Sequence, residues 1–310
     1  MKLAELLNEV NPEYKKRVED VKKRWRDKIR NQLKSILKLD FAEGIHFNIK
    51  VDEAYPDSIA EITLSESEYM KYLLFQNRAM LVDLDDKLEK LHGIIYQIEN
   101  NDNVDSDFKS IIQTQDIISK LVKQAPEDDD FVKMLMEVDP HIFGTYRGGR
   151  NGGIINLYWA VIGLFAERWN VNVISLAIII LVHEYAHAIT QHGIDANNVN
   201  WEQSKFNNAD VWIIEGIAEY ITYLFVKMYD NSIYDLMRTY RILFQNSPPE
   251  YQDYENWGSI SPESIRYALL QSRRNNNVQL TYQMFKNFLK EGQNRFGTYR
   301  GPEYQEKLFY

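Results

Sequence analysis

An almost uninterrupted apolar run covers residues 173–182, where Ser175 is the one polar side chain. It predicts a helix buried on most of its faces and continuing into the mixed positions that follow. Asn172 stands where an N-cap belongs, and Gly193 supplies a natural stop. The apolar run itself is shorter than the roughly 20 residues that a membrane span requires. A second helix is predicted from Asn208 or Asp210 to about residue 228, again among apolar neighbours. The polar, Asn-rich residues 195–210 between the two read as a surface loop.

Residues 2–37 read as one or two helices, with a break near Pro12. The alternation over residues 45–51 predicts a strand with His46 on its polar face, and residues 59–64 suggest another. Residues 65–100 and 107–123 are helical in pattern, the first interrupted near Gly93, and residues 126–130 form an acidic turn suited to a helix N-terminus. The cluster Gly148-Gly149-Arg150-Asn151-Gly152-Gly153 is a turn, followed by the strand-like residues 154–159. It lacks the Gly-Lys-Ser or Gly-Lys-Thr ending of a phosphate loop. Helices over 232–244, 262–273 and 280–291, separated by Pro248-Pro249 and by residues 275–277, complete the chain. The pattern describes an α+β protein, predominantly helical, with a small mixed sheet. Residues 1–140 form a mostly helical N-terminal region with a short β element, and residues 141–310 a second, core region.

Composition narrows the function classes. With 310 residues, 45% hydrophobic and 26% charged, the chain can bury a full core as an ordinary soluble protein. A net charge of −9 argues against a general nucleic-acid binder. The first residues lack the apolar core of a signal peptide, so a cytoplasmic protein is the expectation. With Cys 0 there are no disulfides. Basic residues dominate residues 15–34, from Lys15, Lys16 and Arg17 to Arg30 and Lys34. They read first as a solvated helix face, and alternatively as a surface for an anionic partner or membrane.

The candidate chemistry sits in the two central helices. His183 and His187 are four residues apart, so on a helix both imidazoles face one way and can share a divalent ion. Glu184 is turned aside by one residue, towards the place of a reacting water whose proton it could take. Glu215, among apolar neighbours on the second helix, is a carboxylate that needs a cation, and Glu219 lies on the same face. There Glu219 could accept the spare ring N–H of a ligand histidine. His192 falls about 140° further round the helix than His187 and should not share the ion.

His183-Glu184-x-x-His187 with the downstream run Glu215-Gly216-x-Ala218-Glu219 resembles the gluzincins, the metallopeptidase group of thermolysin and the aminopeptidase N-like enzymes. The resemblance covers roughly residues 146–228. It implies a two-lobed, thermolysin-like zincin core in which His183, His187 and Glu215 bind Zn2+, Glu184 is the general base and Glu219 stands behind a histidine ligand. It further implies a peptide or protein substrate lying along an edge strand at residues 154–159, with Asn156 and Tyr158 as its contacts. A tyrosine on a later helix would stabilise the oxyanion, and Tyr267 is the choice among Tyr240, Tyr251, Tyr254, Tyr267 and Tyr282. The Gly-x-Met-Glu-Asn element of the aminopeptidases is missing, which favours an endopeptidase. Metzincins need a glycine and a histidine where this chain has Thr190 and Gly193, and peptide deformylases need a cysteine; both are excluded. Mn, Co or Ni could occupy the same ligands. Two alternatives stand beside the zinc peptidase: a non-catalytic binding or scaffold protein on this fold, and a latent peptidase blocked by its N-terminal region.

Overall fold

The computed structural model describes residues 2–99, 106–125, 130–195, 199–257, 260–275 and 279–297. Most of the acidic turn expected at 126–130, and most of the loop at 275–277, lie outside the described residues. The N-terminal region runs through α1 (Leu3–Asn8), α2 (Glu13–Leu37), β1 (Asp40–Phe41), β2 (His46–Lys50), α3 (Asp57–Ala60), α4 (Glu66–Gln76), α5 (Arg78–Glu99), α6 (Ser106–Gln124) and α7 (Asp130–Val138). The expected break near Pro12 separates α1 from α2, with Pro12 at the N-cap of α2. Val18, Val21, Ile29, Leu33 and Leu37 turn inward from α2, leaving Lys23, Arg24 and Lys28 in solvent.

The core region begins with β3 (Gly144–Gly149), β4 (Gly152–Leu157) and α8 (Trp159–Arg168). Next come α9 (Val173–His192), β5 (Gly193–Ile194), α10 (Gln203–Asn207) and α11 (Val211–Tyr229). The chain closes with α12 (Leu236–Asn246), α13 (Pro249–Gln252), a 3-10 turn over Asp253–Trp257, α14 (Pro262–Arg274) and α15 (Tyr282–Phe296). The fold is mostly helical with a small mixed sheet.

α9 is the axis of this arrangement. Asn172 caps it by accepting from the Ile174 backbone N–H, and every residue of the helix except Ile174 is buried. α2, α8, α11 and α12 pack around it together with the β3–β4 hairpin. At 20 residues it is the one described helix long and apolar enough to cross a membrane, and 94% of that stretch is buried inside the protein. The helix is therefore longer than its apolar run, and its polar end carries the candidate ligands.

Three expectations change. Residues 59–64 form no strand: α3 occupies their start, and Thr63 makes only an isolated bridge with Lys2. α5 passes through Gly93 without a break. The sheet order is β2-β4-β3, with β2 parallel and β3 antiparallel to β4. β4, which takes the first part of the strand expected at 154–159, is thus central, with β2 and β3 at the two edges. The cause is the returning N-terminal chain, because β2 takes the side of β4 that the hairpin leaves free. Gly152, at φ +123, lies so close to the His46 carbonyl that any Cβ would collide with backbone there, so this junction requires glycine.

Candidate metal centre

The polar end of α9 lies against the first half of α11, which Asp210 caps by accepting from the Trp212 backbone N–H. Nε2 of His183 is 3.1 Å from Nε2 of His187, and Oε2 of Glu215 is 3.1 Å from the first and 3.3 Å from the second. Ligands held tetrahedrally at zinc–nitrogen bond lengths sit roughly 3.3 Å apart. The triangle therefore matches one face of a tetrahedral site, and two facing imidazole nitrogens need a proton or a cation between them. This buried His/His/Glu group could hold a metal ion.

Further groups fix the ligands. Glu219 accepts at 3.0 Å from Nδ1 of His183, which leaves Nε2 directed at Glu215 and His187. The Tyr240 hydroxyl lies against Glu219 and bonds the Tyr254 hydroxyl at 2.8 Å, so those two tyrosines stand behind the ligands and not before them. The Tyr146 ring lies parallel to that of His187, and its hydroxyl donates to Gln191 one turn further on. Gly216, costly inside a helix, is explained by Trp257, which occupies the space a Cβ would need. At the end of α9 the buried Arg273 guanidinium donates to the carbonyls of Ile189, Thr190, Gly193 and Val199. Burial pushes its pKa down to about 9, which still leaves a cation at neutral pH, aimed at the negative end of the helix dipole.

Electrostatics set the ligands' protonation. Burial lowers the pKa of His183, but the carboxylates of Glu215 and Glu219 outweigh it and hold it well above the ordinary value. Burial likewise raises that of Glu215, and His187 and His183 pull it well below. Without metal, then, His183 holds a proton between carboxylates, and a divalent ion must displace it.

Glu184 points from α9 into a narrow chamber of about 30 Å³ lined by Met136, His141, Phe143, Gly144, Ile180, His183 and Tyr251, among others. Burial raises its pKa to about 7, and its Oε2 has no hydrogen-bond partner among the described residues. Gly144, at the start of the edge strand β3, lies so near that a Cβ would meet Ile180 and come within 3.2 Å of the Glu184 carboxylate. The Tyr251 ring stacks on that of His183 with centroids 5.5 Å apart, and its hydroxyl lies 3.4 Å from Nδ1 of His141. Burial, then the charges of Glu215, Glu184 and Glu219, keep that hydroxyl protonated well beyond the usual range.

Three sequence candidates lie elsewhere. Tyr267 donates to Glu291 on α15 and packs against Phe296 and Arg295, because its helix uses that face to pair with α15. Asn156 is buried in the central strand and donates to Thr145, and the Tyr158 hydroxyl lies against the same threonine. Neither is free to meet an added strand. His192 ends α9 as expected, packed on Phe47 and away from the ligands. Conversely, Tyr251 displaces Tyr267 as the tyrosine at the site. His141 was missed altogether, since it stands in a turn with no spacing relation to the motif.

No family model, no curated protein and no solved structure matches the chain. The reading of the site therefore rests on its own geometry.

Proposed function

We propose that this protein is a zinc-dependent peptide hydrolase of the gluzincin type, acting as an endopeptidase on extended substrate. The observation that carries the proposal is the His183–His187–Glu215 triangle with Glu184 beside it, facing a chamber. His183, His187 and Glu215 would hold the ion, and Glu219 would orient His183. A metal held by only three protein ligands keeps a position open, which favours catalysis over a structural role. When bound, the ion supplies Lewis acidity towards the scissile carbonyl and acidifies a water.

The chain's own groups do the rest. Glu184, whose pKa of about 7 lies near neutrality, takes the proton of the attacking water and passes it to the departing amine. Tyr251, with its hydroxyl kept protonated, donates to the oxygen that becomes negative as the carbonyl turns tetrahedral. The edge of β3, which pairs with no further strand among the described residues and whose Gly144 adjoins Glu184, can take an extended peptide as an added strand beside the Gly148 carbonyl that Gln203 holds. This replaces Asn156 and Tyr158 with backbone groups as the substrate's partners. The chamber between the α9–α11 wall and the turns facing it would be the cleft of a two-lobed core.

The test is a zinc-loaded preparation assayed on an unstructured protein, next to Glu184→Gln. The variant should keep its zinc while turnover falls about 10²–10⁴-fold. Undiminished cleavage by Glu184→Gln refutes the assignment.

A further inference from the structure

Two cavities adjoin at the site. Outside the chamber of about 30 Å³ lies a vestibule of about 430 Å³ between the end of α7 and the α12–α13 turn, and Met136, Pro140 and Ser247 line both. A space of the chamber's size holds one or two waters, far less than an amino-acid residue. The metal ligands and Glu184 are correspondingly 3–8% exposed. In this conformation the chamber itself holds nothing larger than water, so a substrate coming from the vestibule must part the partition.

The partition has two rims from distant parts of the chain, each held by its own anchors. One is the turn after α7, where Asp139 accepts from the His141 backbone N–H and from the Ser58 hydroxyl on α3. The other is the α12–α13 turn, which Gln252 ties to the carbonyls of Phe244 and Ser247. Between the rims runs the His141–Tyr251 hydrogen bond, which at 3.4 Å is longer, and so weaker, than an ordinary one. Two internally braced rims joined by one weak bond make a contact that can open without unfolding either side.

We propose that His141 is a positioning residue that latches the chamber. Through its bond to Tyr251 it holds the two rims together over the ligands, and release of that bond admits substrate from the vestibule. It also fixes where the Tyr251 hydroxyl stands. That the ligands hold a metal and that the substrate is a peptide both rest on the proposed function; the latch needs the first and not the second.

The experiment follows escape of the metal, which needs no catalysis. The full chain loaded with zinc is mixed with excess dipicolinate, a chelator larger than the chamber, and zinc transfer is timed. His141→Ala should release zinc about twofold faster or more, the effect of a hydrogen bond at the weak end of the usual range. His141→Gln, which keeps a polar partner for Tyr251, should stay near the parent. Met136→Ala, which thins the partition without touching latch or ligands, should also accelerate release. The proposal is overturned by a parent that gives up zinc as fast as the two alanine variants, or by a glutamine variant no slower than His141→Ala. A chain that takes up no zinc overturns the metal reading and the latch with it. Latch-dependent release without any peptide cleavage leaves the latch standing and overturns the peptidase reading alone.

Discussion

The two walls of the chamber are built on opposite principles. On one, α9 and α11 present His183, His187, Glu215 and Glu219 from long, almost wholly buried helices, each of the four meeting another of the set. On the other, His141, Ser247 and Tyr251 come from turns and a four-residue helix; one long hydrogen bond joins His141 to Tyr251, and Tyr251 meets the helix wall at Glu215 and His183. Rigid helices fix the positions of groups that must converge on one point, while turns can shift without disturbing the core. On the proposed function, the difference gives ion binding to the fixed wall and admission of substrate to the movable one.

Substitutions can break that division. The largest effect belongs to the fixed wall: Glu215→Ala leaves two imidazoles facing each other without their carboxylate, and elemental analysis should find the zinc content reduced to background. On the movable wall, Tyr251→Phe should lower kcat about 10²–10³-fold with zinc content unchanged, while Tyr267→Phe leaves both alone. Equal losses in the two tyrosine variants would erase the distinction between a chamber tyrosine and a packing one. Behind the fixed wall, Glu219→Gln should weaken zinc affinity about 10–100-fold, read by competition with a calibrated chelator.

The last effect is on stability and depends on pH. In the metal-free protein, Glu184 has its pKa raised from 4.5 to about 7 by burial. The folded state therefore binds this proton more tightly than the unfolded chain, and the contribution is full below the ordinary carboxylate pKa. It disappears as pH rises through 7, where a buried charge must form. Glu184→Gln should accordingly stabilise the metal-free protein by roughly 2–3 kcal/mol at pH 8 and by nothing near pH 4, as measured by urea unfolding. A pH-independent difference would remove the buried-charge account.

Helical spacing explains what could be read in advance. Four residues along α9 and four along α11 translate directly into neighbouring side chains, so His183, His187, Glu215 and Glu219 were legible as one group. Tyr251 was one of five candidate tyrosines with nothing to single it out, and His141 was not seen, because turns and one-turn helices carry no period that projects sequence onto space. The strand order was hidden for a related reason. Alternation in residues 45–51 reveals a strand but not its partner, and it is the parallel pairing of β2 with β4 that moves Asn156 into the sheet's centre, while Tyr158 is the N-cap residue of α8. Tyr267 misled because a tyrosine on an amphipathic helix looks the same whether its face meets a cleft or, as on α14, the neighbouring α15.

Arg273 has a bearing on how far the chain can be shortened. Its guanidinium, sent from α14, grips the carbonyls at the tail of α9, beyond His187. A fragment ending after α11 would retain every ligand yet expose those carbonyls and lose the clasp on that tail. The shortest fragment able to keep zinc in place should therefore extend through α14, although no residue of that helix touches the ion's ligands.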